Sequence, residues 1–334
     1  MSNPAYTRNQ MCFPVLESTF GTAVTPVGAN ACLITSLTTQ AAQPEIARPD
    51  KTGSLGEIIG IPGRKTATWT AAMSMAGNGA PGVVPDCDKL LQLIFGKAAT
   101  IVASTSATYG LDDANLSASI WHYNDPSTVA QYVAIGAVCH QLKISFGGDV
   151  PTLEFTGSAL WVLDSDQLAD GTMDSIGKGG IASWTARPTP TVNGKPPAGF
   201  TGAITLDGQT YTTLRQGSIT LAVARNLPGD TFNSYYSAAP VPGLRAISVD
   251  FGLYDDDSAN LKALKQKAFN KTAVDLVFQI GTVAGNRWGF TTKNVMLPTP
   301  TLDYGSDRRA MSFSGAKAHD TTIGAKDAVT LAVT

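Results

Sequence analysis

The sequence is short of charge. Only 15% of its 334 residues are Asp, Glu, Lys or Arg, against about a quarter in ordinary globular chains, and the formal net charge is −2. So weakly charged a surface suits a chain meant to be covered by copies of itself, and equally a large Ser/Thr-rich monomeric β protein. No Lys/Arg cluster is long enough to form a basic stripe, which argues against tight binding of nucleic-acid phosphates. Histidine is scarcer still. His122, His140 and His319 stand far apart, so a zinc site or a Ser-His-Asp triad has no local signature. His140 falls on the apolar face of a predicted strand, where a packed, hydrogen-bonded imidazole is expected.

Cys12, Cys32, Cys87 and Cys139 show no C-x-x-C spacing. In a chain made in a reducing cytosol they are expected as small core residues, neither disulfides nor metal ligands. No window approaches 18 unbroken apolar residues, so membrane insertion is not expected. The opening "MSNPAYTRNQ" has no basic region followed by an apolar run, so no secretory signal is expected, and the sequons at Asn115 and Asn270 lose their meaning. There is no G-x-S-x-G, Walker loop or H-E-x-x-H. "GNGAPG" (77–82) lacks the Lys-Ser/Thr that holds phosphates and reads as a turn. Neither a catalytic residue nor a cofactor is expected; a glycosidase, whose paired carboxylates have no diagnostic spacing, is merely unsupported.

What is present is alternation. "TATWTAAMSM" (66–75) places Trp69, Ala71, Met73 and Met75 on one face. "VCHQLKISF" (138–146), "LEFTGSALWVL" (153–163), "SITLAVA" (218–224), "LRAISVDFGLY" (244–254) and "DLVFQIG" (275–281) repeat the pattern. A period of two predicts strands with one buried face, in a mainly β fold of sandwich or barrel type. The stretch 170–214 opens with a run dense in Gly and Pro and reads as a linker or an inserted loop.

The two halves echo each other. "ISFGGDVPTLEFTGSA" (144–159) and "LDYGSDRRAMSFSGAK" (302–317) match Ile144, Phe146, Gly147, Phe155 and Gly157 to Leu302, Tyr304, Gly305, Phe313 and Gly315 at a constant offset of 158. Each half runs strand, long loop, alternating strand, short helix, then strands ending in the matched unit. Duplication follows as the working expectation.

Both predicted helices begin with acid. Asp86 and Asp88 precede "KLLQLIFG", and Asp255, Asp256 and Asp257 precede "SANLKALKQKAF". The Gly and distant Glu of a calcium loop are missing, so Asp86, Asp255, Asp256 and Asp257 are read as helix caps. The loops 40–64 and 226–243 are long for hairpin connections and unusually apolar. Leu55, Ile58, Ile59 and Ile61 in one, and Phe232, Tyr235, Tyr236 and Val241 in the other, are expected to be buried at subunit interfaces or folded over their own domain.

This layout resembles the tail tube proteins of long-tailed bacteriophages. The segments "LESTFGTAVTP" (16–26), "VPGLRAISVDFGLY" and "DLVFQIG" reinforce the resemblance, which covers nearly the whole chain through soft patterns and no catalytic signature. It implies two tandem tube-type β-sandwich or barrel domains, each with one flanking α-helix, assembling into a shared β-barrel ring. The expected organisation is an N-terminal arm (1–31), a first tube domain (32–169), a linker or insertion (170–214), a second tube domain (215–318) and a C-terminal extension (319–334). It further implies stacked rings of six tube domains, hence three chains per ring, or six chains if the second half is decorative. The implied role is a conduit for DNA in a virion tail assembled in the host cytoplasm. Its implied partners are the chain itself, a tape-measure protein and transiting DNA without tight binding, and tail terminator and baseplate proteins. A baseplate or head-decoration component, or a carbohydrate-binding β protein, are the alternatives.

Overall fold

The computed structural model describes residues 9–51, 53, 58–124, 131–164, 184–192, 194–198, 201–211, 214–228, 237–256, 258–305 and 308–334. Period-two patterning becomes strand almost wherever it occurs. In the first half these are β1 (Met11–Leu16), β2 (Ser36–Ala42), β3 (Glu45–Ile46), β4 (Ile61–Pro62), β5 (Thr66–Ser74), β6 (Thr100–Val102), β7 (Ser106–Gly110), β8 (Ala118–Tyr123), β9 (Gln131–Phe146), β10 (Thr152–Ala159) and β11 (Trp161–Asp164), with helix α1 (Asp88–Phe95). The second half adds β12 (Gly202–Leu206), β13 (Gln209–Tyr211), β14 (Leu214–Asn226), β15 (Val241–Tyr254), β16 (Val274–Ile280), β17 (Trp288–Val295), β18 (Thr301–Asp303), β19 (Ala310–Ala318) and β20 (Val329–Val333), with helix α2 (Ala259–Phe269).

The main sheet runs β2-β5-β10-β9-β14-β15-β19-β18 and, among the described residues, is open at both ends. Its first four strands belong to the first half of the chain and its last four to the second, in the same order. Leu153 and Phe155 of β10 lie opposite Met73 and Ala71 of β5. Their counterparts 158 residues on, Met311 and Phe313 of β19, lie opposite Leu253 and Phe251 of β15. The two runs join where β9 pairs with β14.

A second sheet, β13-β12-β16-β17-β20-β7-β6, covers the apolar face of the first. Phe278 of β16 packs on Phe146 and Phe251 across the gap, at ring-centre distances of 5.0 and 6.2 Å. The segment expected as a linker contributes the hairpin β12–β13, and β12 pairs with β16. The last strand, β20, lies between β17 and β7, with Val329, Leu331 and Val333 buried. Both sheets therefore contain strands from both halves.

The first half of β9 turns away to pair with β8 and β11, and β1 pairs with β8. This smaller sheet encloses a separate core of Phe13, Trp121, Tyr123, Val133, Ile135 and Leu163. Glu17 fastens the following turn. Its carboxylate accepts from the Ser119 and Ser117 hydroxyls (both 2.8 Å) and from the Gly136 and Gly21 amides (both 2.9 Å).

His122 of β8 is buried beside Tyr132, with ring centres 6.0 Å apart. Burial pushes its pKa down to about 4, whereas an unfolded histidine titrates near 6.5. The neutral ring fits the fold, so this contribution to stability is intact above pH 6.5 and is lost as pH falls toward 4. Linkage puts the loss at about 2.5 kcal/mol by pH 4.5. Urea unfolding at pH 7 and pH 4.5 should show a His122→Gln variant losing less stability than the native chain by that amount; equal losses would refute it.

Candidate assembly surfaces

The helix-head aspartates divide their work among different partners. Helix α2 is capped by Ser258, whose hydroxyl accepts from the Leu261 amide at 3.3 Å. Asp256 accepts from the Ser258 amide (3.1 Å) and so shapes the turn before the cap. Asp255 is almost wholly buried between Lys265 Nζ (2.7 Å) and Arg309 Nε (2.5 Å), joining α2 to the start of β19. Asp257 lies outside the described residues. In α1 the N-cap is Cys87, which offers no side-chain hydrogen bond. Asp86 is not the cap; it accepts from the Gly194 amide at 3.3 Å. Asp88 is buried in the first turn, taking hydrogen bonds from Tyr109 and Gln92 (both 2.7 Å) and Lys89 (2.9 Å). The capping expectation is corrected for Asp86, Asp255 and Asp256: Ser258 caps α2 and Cys87 stands at the N-cap of α1 with no side-chain bond, while Asp255 ties α2 to the start of β19.

His140 is half-buried and shares a 2.5 Å hydrogen bond with Ser158, while His319 is exposed. All four cysteines are buried free thiols. Among the described residues, no group of three or more His, Cys, Asp and Glu side chains could hold a metal, and no helix is long and apolar enough to cross a membrane.

Among the described residues, the outer face of the main sheet is left uncovered. Five of its strands seal one face in the core and show hydroxyls on the other: Ser36 and Thr38 on β2, Thr66, Thr68 and Thr70 on β5, Thr152, Thr156 and Ser158 on β10, Ser218 and Thr220 on β14, and Ser312 and Ser314 on β19. Its charges balance. Glu154 faces Lys143 across β10–β9, and Asp250 is offset by Lys317 one strand away. Asp250 is also engaged by the Ser314 hydroxyl (2.9 Å) and the Gly315 amide (2.6 Å).

The other uncovered features are apolar. Between β2 and β5 the chain leaves the sheet as the β3–β4 hairpin, with Ile46, Ile58, Ile59 and Ile61 exposed, Ile59 to 86%. At the start of β15, Val241 and Leu244 are exposed, Leu244 to 89%. Leu55, Phe232, Tyr235 and Tyr236 lie outside the described residues.

One interaction had no sequence signal. Arg225 of β14 is buried, and its guanidinium donates to the Leu93 and Ile94 carbonyls of α1 and to the Cys139 carbonyl of β9 (3.0 Å). It meets the last turn of α1 where a cation complements the helix dipole, and it clamps the second run of strands onto the first.

A family model described as phage tail tube protein matches residues 15–334. No curated protein sequence matches the chain.

Proposed function

Because the chain belongs to the phage tail tube protein family, and is thus a structural, self-assembling protein of the virion tail, we propose that three copies form each ring of the tube. The carrying observation is the doubled strand order of the main sheet. Each run of four strands acts as one tube domain, the first within 32–169 and the second in 215–318 apart from Leu214 at the start of β14, so three chains supply the six domains that the family resemblance implies. Three chains of eight strands make a barrel of 24. At about 4.8 Å between strands and a tilt near 40°, such a barrel is roughly 50 Å across its backbone. Six chains with all eight strands of the continuous main sheet in the wall would double that width and leave a passing duplex far from it.

The hydroxyl-rich face of the main sheet lines the conduit. A wall with balanced charge neither grips phosphates nor repels them strongly, so the genome and a tape-measure protein can slide past it. The exposed isoleucines of the 43–65 loop and the apolar residues at 241–244 lie against neighbouring subunits or rings, removing apolar area from water at about 25 cal/mol per Å². Rings stack head to tail without closing, which propagates a filament, finished by tail terminator and baseplate proteins and assembled in the host cytoplasm.

Mass per ring, from scattering or image averages of assembled tubes, tests the stoichiometry. Three copies of a 34.8 kDa chain give about 104 kDa, and six give about 209 kDa. The larger mass would reject the three-chain ring.

A further inference from the structure

We propose that the ring closes by pairing β18 of one chain with β2 of the next, in a register set by the chain's own internal joint. This rests on the ring reading above and adds which edges meet and which residues face each other.

Among the described residues, the strands at the two ends of the main sheet's path, β2 and β18, pair on one side only. Within the repeat, β18 occupies the place of β9, and β2 the place of β14. Those two counterparts, β9 and β14, are the strands that meet inside the chain. Phe146 faces Gly217, Ser145 faces Ser218, Ile144 faces Ile219 and Lys143 faces Thr220. The offset of 158 carries β9 onto β18. For the partner strand, Ala71 and Phe251 hold matching places opposite Phe155 and Phe313. Ala71 faces Leu37 and Phe251 faces Gly217, so 180 residues separate β2 from β14. Applying both offsets, Asp303 faces Thr38 of the neighbour, Leu302 faces Thr39 and Thr301 faces Gln40.

The chemistry of both edges agrees. Sheet edges that stay free are guarded by Lys, Pro or bulges. β2 reads SLTTQAA, with neither a charge nor a proline. On β18, Leu302 is 41% exposed and the following Tyr304 is 70% exposed, whereas their counterparts Ile144 and Phe146 are buried. A neighbour's strand would cover them as β14 covers β9. Pro300, lacking an amide hydrogen, stands where β9 has Leu142 and ends the pairing there. The joints also differ at the glycine: Phe146 packs over Gly217, where an added Cβ would sit 2.5 Å from its ring, while Tyr304 meets Leu37 and must turn aside. Donor edge and acceptor edge are different surfaces, so the contact is heterologous, the kind that closes into a ring when its rotation divides the full circle.

Disulfide capture tests the register, since the four native cysteines are buried. A chain carrying Thr301→Cys and Gln40→Cys, oxidised after tubes are confirmed by electron microscopy, is expected to give a reductant-sensitive ladder ending at trimer. The pair Leu302→Cys with Gln40→Cys, one residue out of register and therefore on opposite faces, should give at least tenfold less. Chains carrying Thr301→Cys alone, mixed with chains carrying Gln40→Cys alone, should link to each other and not to themselves. This second arm keeps the test valid if the double variant misfolds. Tubes without the expected link, or with equal linkage in the control, overturn this pairing while sparing the ring reading. A native chain that forms no ring or tube at any concentration overturns both.

Discussion

Replacing Gly157 with alanine is expected to cost roughly 3 kcal/mol or more, the upper end for a single substitution. An added Cβ there would lie 1.9 Å from the Val138 carbonyl oxygen and 2.5 Å from the Trp69 indole nitrogen. Neither can withdraw. Trp69 is buried and its Nε1 donates to the Val138 (3.2 Å) and Ser158 (3.3 Å) carbonyls, so the indole lies flat across the glycine. The matched residue in the second half is a sharp control. Gly315 has nothing within 4 Å of its would-be Cβ but sits at φ +75°, where alanine costs only about 1 kcal/mol. Urea unfolding of both variants, below the concentration at which tubes form, should rank them in that order by at least 2 kcal/mol. Equal costs would mean that the Trp69 contact does not hold the strand pair together.

Arg225→Leu should produce the second large effect. It leaves the Leu93, Ile94 and Cys139 carbonyls buried without their donor. Hydrogen bonds from a charged group are each worth about 1.5–3 kcal/mol, and orphaned acceptors bear their full desolvation cost. A loss of roughly 3 kcal/mol is expected. Arg225→Lys should fall between the two, since an ammonium keeps the charge but cannot span three carbonyls with a planar fork. Because Arg225 joins the two runs of strands, the Leu variant should also lower tube yield at fixed protein concentration. A leucine variant within 1 kcal/mol of the native chain would show that α1 is held in place by apolar packing alone.

The strands were legible because a half-buried sheet imposes a two-residue period on side chains wherever it forms. The repeat was legible for the same reason: Phe155/Phe313 and Gly157/Gly315 stand at equivalent points of two equivalent strand runs. The glycines nevertheless serve different ends, one steric and one conformational, and identical letters could not reveal that. The helix-head aspartates looked like caps because acid before an apolar run is a common cap pattern. Ser258, one residue on, holds the cap of α2, while Asp255 and Asp88 turn inward, Asp255 to Arg309 and Asp88 to Tyr109 as well as its helical neighbours. Arg225 was invisible because its acceptors are backbone carbonyls, which carry no sequence identity.

By itself, then, the sequence determined the β class, the doubling, the low charge, and the resemblance that the family match bears out. All of these are written in short-range pattern and composition. Only the tertiary structure decided that β9 meets β14, that β20 of the second half lies against β7 of the first, and that β2 and β18 are the strands left open. Those outcomes depend on which distant segments share backbone hydrogen bonds, and every residue except proline offers the same donor and acceptor to any neighbour that arrives.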